Sequence, residues 1–285
     1  MRHGIGVRET NTAAWSHEPV VRHYAEERTT PEALYASERA VLAPALRSCA
    51  SVLDVGCAAG GFYPILQELK PGLRYLGVDV VPAMIEEARR RYPGVAFEVS
   101  DGASLPCSAK AFDLVLCTGV LLHTPNYRDV IAECYRVASR GCVFDLPRLV
   151  TAPYTFDPSA SYMVLSGRFS AAGAVREPSS TVVPYVLANP QPLFEFLLKG
   201  LRPRPEALAA VGYYGQPAEA VVIPARPVCF CVVYLAKGDE TTQRPRWLCD
   251  LPQGIVDSIH VPEAERMAGG RDALDRCIAG SSVVR

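Results

Sequence analysis

Five short and almost unbroken apolar runs frame the chain, at residues 51–56, 73–79, 95–100, 112–120 and 141–146. Most of them do not alternate with polar positions, so they read as strands covered on both faces, as in a parallel sheet. Between them apolar residues recur at helical spacing: Phe62, Ile65, Leu66 and Leu69, then Met84, Ile85 and Ala88, then Val130, Ile131, Cys134, Tyr135 and Val137. Pro82 falls in the first turn of the second helical stretch, and Arg89, Arg90 and Arg91 complement the dipole at its end. Asn126 is placed to cap the third. Strands alternating with helices predict a doubly wound α/β sheet.

Two further helical patterns precede the first strand. One covers 19–28 with Val20, Val21 and Tyr24 on a face. The other runs from Pro31, with Thr30 as its cap and Leu34, Tyr35, Val41, Leu42 and Leu46 on a face. After Leu146 the pattern changes. Residues 147–189 are rich in Pro, Ser and aromatics with one strand at 181–187, and a helix ends near Gly200. Strands follow at 208–214 and 228–235. From Gly238 the chain is polar, with one weak helix near 262–278. The expected division is a helical lid over 1–48, a sheet domain over 49–237 with a pocket-forming insertion at about 147–189, and a tail over 238–285.

Composition narrows the function classes. The 285 residues are 49% hydrophobic and 21% charged, which suits one compact domain with additions. Net charge is −1 with no basic run, so nucleic acid is not expected as a partner. No stretch has the length of a membrane span and residues 1–8 lead into no apolar signal core, so no membrane association is expected and the protein reads as soluble and cytoplasmic. Of ten cysteines, Cys57, Cys117, Cys134, Cys142, Cys229 and Cys231 lie inside apolar runs. There is no C-x-x-C pair and the five histidines are spread out, so the thiols read as reduced core residues and no metal site is expected.

The chemistry concentrates at Val52-Leu53-Asp54-Val55-Gly56-Cys57-Ala58-Ala59-Gly60-Gly61, followed by Tyr75-Leu76-Gly77-Val78-Asp79. An apolar strand entering a glycine-rich turn, with a second strand ending in a carboxylate, is the layout of a nucleotide-type cofactor site. Gly56-x-Ala58-x-x-Gly61 is one glycine short of a dinucleotide fingerprint, which keeps an NAD(P)-dependent oxidoreductase open as an alternative. Asp54 opposes it: a pyrophosphate at the helix N-terminus would meet a like charge. The carboxylate suits S-adenosylmethionine, which carries an ammonium and a sulfonium and no phosphate.

At this point the sequence resembles the class I S-adenosylmethionine-dependent methyltransferases. Asp54-x-Gly56-x-x-x-Gly60 matches their first motif, 76–84 their second and 99–106 their third. Phe112-Asp113-Leu114-Val115 through Leu121-Leu122-His123, with Glu133-Cys134-Tyr135-Arg136-Val137, resembles the type 11 subgroup, which includes ubiquinone and menaquinone biosynthesis methyltransferases. The resemblance covers about 48–147. Ala58 stands where many members have Gly, and Ser139-Arg140-Gly141 where many have Lys-Pro-Gly-Gly.

The resemblance implies a Rossmann-like, seven-stranded, mostly parallel sheet in the order 3-2-1-4-5-7-6, and methyl transfer that leaves S-adenosylhomocysteine. It implies that Gly56, Cys57 and Gly60 pass close to the methionyl part, with Asp54 polarising that end. Asp79 would accept from the ribose hydroxyls, Val80 and Met84 pack on adenine, and Asp101 accept from the adenine amine beside Gly102 and Ala103. Cys117 and Thr118 would close the floor by the sulfonium.

His123, after the fourth strand, is the candidate general base. Tyr24, Tyr35, Arg148, Tyr185 and Tyr213 are candidates for the acceptor pocket, with Tyr154, Phe156, Tyr162, Arg168 and Phe169 as further lining. The Asn-Pro-Pro-aromatic signature of amino methylation is absent after the fourth strand, where Cys117-Thr118-Gly119-Val120 stands, and a small organic acceptor is expected. A non-catalytic cofactor-binding regulatory or scaffold protein is the second alternative, and a homodimer is left open.

Overall fold

The computed structural model describes residues 12–165, 181–267 and 271–280. After a helical turn at 12–15 come helices α1 (Glu18–Glu26) and α2 (Ala36–Leu46), joined through a single 3-10 turn at Pro31–Ala33. The side chain of Thr30 makes no capping bond; the backbone N–H of Tyr35 is instead satisfied by Glu38 Oε2 at 2.9 Å. Then β1 (Ser51–Val55), α3 (Phe62–Leu69), β2 (Arg74–Asp79), α4 (Pro82–Arg91), β3 (Ala96–Val99), β4 (Phe112–Cys117), α5 (Tyr127–Val137) and β5 (Ala138–Asp145) follow the expected alternation. Asn126 occupies the N-cap position of α5 without a side-chain capping bond.

Strands β1 to β5 pair in parallel, in the order 3-2-1-4-5. A helix of six residues, α6 (Pro190–Glu195), continues as a wider turn over Phe196–Gly200. It is followed by β6 (Ala207–Gly215) and β7 (Val228–Ala236), which form an antiparallel pair, with β7 antiparallel to β5. The expected order 3-2-1-4-5-7-6 is therefore present.

The sheet does not stop there. The segment after Gly238, expected as a polar tail, adds β8 (Arg246–Asp250) parallel to β6, and the two-residue β9 (Glu265–Arg266) beyond it. Trp247 and Leu248 are buried and give β8 its reason to pair. The run is only five residues long and ends in an aspartate, so its pattern is weak in sequence. After the four-residue α7 (Gln253–Val256), the last helix, α8 (Arg271–Gly280), begins later than expected. Leu274, Cys277 and Ile278 on it join the core near α2.

Neighbouring residues of a strand point to opposite sheet faces, and two cores result. Leu53, Val55, Val115 and Cys117 pack with α5, while Val52, Leu114 and Leu116 pack with α2, α3 and α4. The single strand expected at 181–187 is broken. Thr181–Pro184 pairs with Tyr162–Leu165 in a small separate sheet, and Leu187–Ala188 pairs with Arg148–Leu149 in the main one. Between them Tyr185 N donates to Ser161 O at 3.1 Å. Among the described residues no helix is long and apolar enough to cross a membrane.

Candidate active site

A cavity of about 1400 Å³ opens along the carboxyl ends of β1, β2 and β4, with Trp15, Tyr24, Arg28 and Tyr35 of the N-terminal segment in its lining. Its floor is the glycine-rich turn. The N–H groups of Gly56 and Cys57 both donate to Val78 O, at 2.7 and 3.0 Å, tying the turn to the end of β2. Gly56 has φ of +76°, and a Cβ there would stand 2.1 Å from Val120 Cγ2, so only glycine fits. Ala58 is also left-handed at φ 47°. Alanine at that position carries a strain of roughly 1–2 kcal/mol that glycine would not.

Asp79 holds this arrangement. Its Oδ2 accepts from Ala58 N at 3.0 Å and its Oδ1 from Val81 N at 2.9 Å. Burial pushes its carboxyl up, and these backbone donors oppose the shift. Each oxygen keeps a second lone pair, and the residue lines the cavity.

Asp54, at the end of β1, is 3% exposed and also lines the cavity. Tyr75 on β2 donates its hydroxyl to Asp54 Oδ2 at 2.8 Å. Burial drives the Asp54 carboxyl up to about 7, the Tyr75 hydrogen bond pulls it down, and the charges of Asp79 and Arg28 add smaller opposing effects. The residue is thus poised between neutral and ionised near physiological pH, and a cation in the cavity would hold it ionised.

Asp101 folds its own turn by accepting from Ala103 N at 2.9 Å, and it faces the cavity with Gly102. Val80, Met84, Cys57 and Thr118 line it as well. Three expected cofactor contacts stand back. Gly60 has φ of +80°, and a Cβ there would press on Phe97 Cζ at 2.9 Å, so its glycine serves the packing behind the turn. Ala103 packs into the core beside α5, and Cys117 is fully buried beneath the floor.

His123 lines the cavity and is buried, with its Nδ1 against Pro184 O at 2.8 Å. That carbonyl fixes the Nδ1–H tautomer. Burial lowers its pKa to about 4, so the ring is neutral at physiological pH. Trp15 meets it edge-on at 5.1 Å between ring centroids, and Tyr24 packs on Trp15 at 5.6 Å. Burial also pushes the Tyr24 hydroxyl up to about 12, which makes it a packing and hydrogen-bonding group rather than a base.

Of the expected acceptor residues, Tyr24, Tyr35 and Arg148 line the cavity. Tyr185 does not: it lies behind Arg148 and accepts its Nε–H at 3.2 Å. Tyr213 is 40% exposed and stacks on Phe230 with centroids 5.7 Å apart, outside the lining. Tyr154 packs in a satellite cluster, Phe156 and Tyr162 do not line the cavity, and Arg168 and Phe169 lie outside the described residues.

Sequence reasoning missed Trp15, Arg28 and Asp145. Arg28 reaches the lining from a left-handed residue (φ 55°), paired with buried Glu38 and flanked by the rings of Tyr35 and Phe62 at 4.8 and 5.0 Å. Its position at the last residue of the first helical pattern was the available signal. Asp145, at the end of the fifth strand, could have been found by the same edge rule that selected Asp54 and Asp79.

The five parallel strands in the order 3-2-1-4-5, and the glycine-rich turn with Asp54, Asp79 and Asp101 on one cavity, agree with the Rossmann-like methyltransferase fold that the sequence resemblance implies. Residues 53–144 match the family model described as a methyltransferase domain. The chain is 37% identical to a trans-aconitate 2-methyltransferase of Methylobacterium nodulans over 42% of this chain and 45% of that protein. It is 34% identical to a demethylmenaquinone methyltransferase of Deinococcus radiodurans over 36% of this chain and 45% of that one. The chain thus aligns with less than half of the length of these curated relatives. Among solved structures, an S-adenosylmethionine-dependent methyltransferase of Methanosarcina mazei aligns at 18% identity with a TM-score of 0.47, over 71% of this chain and 97% of that one.

Proposed function

We propose that the protein transfers a methyl group from S-adenosylmethionine to a small organic acceptor. The observation that carries this reading is Asp54: a buried carboxyl on a cavity wall, poised near neutrality, beside a turn whose Gly56 admits no side chain. Such a group suits a cationic ligand and opposes the diphosphate of a nicotinamide cofactor. S-adenosylmethionine, when bound, supplies a methyl group already activated by its sulfonium.

This chain's own residues then bind and align. Asp54 receives the ammonium end, and Arg28 stands at the same end for the carboxylate. Asp79 offers its remaining lone pairs to the ribose hydroxyls, while Val80 and Met84 pack on the adenine and Asp101 faces its amine. Thr118 borders the reacting region. Trp15, Tyr24 and Tyr35 of the N-terminal segment contribute an aromatic wall against which the acceptor is held, and alignment is the main source of rate. His123 serves as a neutral wall and hydrogen-bonding group.

A cavity of about 1400 Å³ lined by aromatic side chains favours a small molecule over a macromolecular acceptor, and the trans-aconitate and demethylmenaquinone relatives carry names of small-molecule enzymes. Buried free thiols suit a cytoplasmic setting. The test is to incubate the protein with methyl-labelled S-adenosylmethionine and a metabolite extract. Label should appear in a low-mass product that carries one added methylene; label left wholly in the donor would reject turnover and leave a binding protein.

A further inference from the structure

The cavity has a second polar centre, at the end of β5. Asp145 closes that strand and Arg148 follows three residues on; their side chains are 10% and 7% exposed, and both line the cavity. Arg148 Nη1 donates to Asp145 Oδ1 at 2.8 Å and Nε donates to the Tyr185 hydroxyl at 3.2 Å. The guanidinium lies over the Phe230 ring at 4.2 Å. These contacts lock both side chains and leave two atoms over. Among the described residues no hydrogen bond engages Asp145 Oδ2 or Arg148 Nη2. One is an acceptor and the other a donor, each one covalent branch from the Oδ1–Nη1 contact. Neither atom is sealed off inside the protein, and the cavity that both residues line is where a partner can stand.

The chemistry of the pair limits that partner. Its charges cancel, so a carboxylate on Nη2 would meet the Asp145 charge and an ammonium on Oδ2 would meet the guanidinium. The cavity walls contributed by Trp15, Tyr24, Tyr35 and Leu122 are aromatic or aliphatic, and His123 is uncharged. A flat, neutral ligand bearing both a donor and an acceptor fits all of these features.

Resting on the methyl transfer proposed above, we infer that the acceptor is a neutral planar hydroxy compound, a phenol or enol with a neighbouring oxygen. Asp145 Oδ2 accepts its O–H and Arg148 Nη2 donates to the neighbouring oxygen. The reaction is then an O-methylation. The hydroxyl oxygen forms the new bond to the methyl carbon, the carbon–sulfur bond breaks with its electron pair staying on sulfur, and the hydroxyl proton passes to the Asp145 carboxylate.

Binding to the full-length protein saturated with S-adenosylhomocysteine tests this by calorimetry with three probes of similar size: catechol, benzoate and benzylamine. Catechol should bind tightest. Asp145→Asn and Arg148→Gln should each weaken catechol more than tenfold and leave S-adenosylhomocysteine affinity within about twofold. Catechol failing to bind at millimolar concentration, benzoate or benzylamine binding as tightly, or folded variants that keep catechol affinity would each overturn the assignment. The rank order of probes on the wild-type protein decides the matter where a variant does not fold. Failure of S-adenosylhomocysteine itself to bind would instead strike the underlying cofactor reading, and the first titration separates the two.

Discussion

Replacing Tyr75 by phenylalanine should move the pH dependence of cofactor binding. The ring sits edge-on between Tyr63 and Phe97, at centroid distances of 5.2 and 5.7 Å, and phenylalanine keeps those contacts. What is lost is the 2.8 Å hydroxyl bond to Asp54. A hydrogen bond to a charged group contributes about 1.5–3 kcal/mol, equivalent to roughly one to two pH units on the carboxyl it supports. The Asp54 carboxyl, at about 7 in the native protein, should rise to about 8–9 in Tyr75→Phe by that reasoning.

If the ammonium end of the ligand needs an ionised Asp54, affinity follows the ionised fraction. At pH 7.5 the variant should bind S-adenosylhomocysteine roughly 3- to 25-fold more weakly than wild type. In the wild type, binding should weaken by close to tenfold per pH unit below the midpoint and release a proton. Calorimetry across the pH range, repeated in buffers of different ionisation enthalpy, reads both the affinity and the proton count. An unshifted midpoint in Tyr75→Phe, or no proton released at pH 6, would refute the role given to Asp54.

Asp79→Ala should weaken S-adenosylhomocysteine by about 1–3 kcal/mol, since it strands ribose hydroxyls and frees the N–H groups of Ala58 and Val81; unchanged affinity by calorimetry would count against the ribose assignment. Gly56→Ala should lower the melting temperature and abolish binding, because the new methyl would press on Val120 and the left-handed backbone adds strain; a variant with native melting and affinity would contradict this. His123 has a native pKa below its unfolded value of about 6.5, so the unfolded chain binds the extra proton and stability is lost as pH falls from about 6.5 towards 4. His123→Gln should flatten that acid limb in thermal melts by up to about 3 kcal/mol, and an unaltered limb would show that the ring does not titrate as its burial implies. Asp54 acts with the opposite sign: its raised pKa means the empty protein loses stability as pH rises between about 4 and 7, and Asp54→Asn should remove that slope.

Much of the frame was legible because both-face burial writes continuous apolar runs, and strands β1 to β5 lie within a few residues of those runs. Edge carboxylates were legible too: Asp54, Asp79 and Asp101 follow from where strands end. Less legible was whatever depends on contacts distant in sequence. Arg246–Asp250 is a strand because β6 offers an open edge, and nothing in those five residues announces it. Gly60 looks like a cofactor glycine in the motif, yet its bare Cα accommodates Phe97 from another strand. Tyr185, in the aromatic-rich segment, and Tyr213, on β6, carry rings that sequence alone cannot orient; one backs Arg148 and the other stacks on Phe230. Asn126 and Thr30 occupy cap positions, but neither side chain makes a capping bond; that of Thr30 bonds the Glu32 carboxylate instead.

The central claim is that the glycine-rich turn and its carboxylates hold S-adenosylmethionine rather than a dinucleotide. Parallel calorimetric titrations of the purified protein with S-adenosylhomocysteine and with NADH test it most directly. The account predicts micromolar binding of S-adenosylhomocysteine and none of NADH at the same concentrations. Binding of NADH with no response to S-adenosylhomocysteine would contradict it.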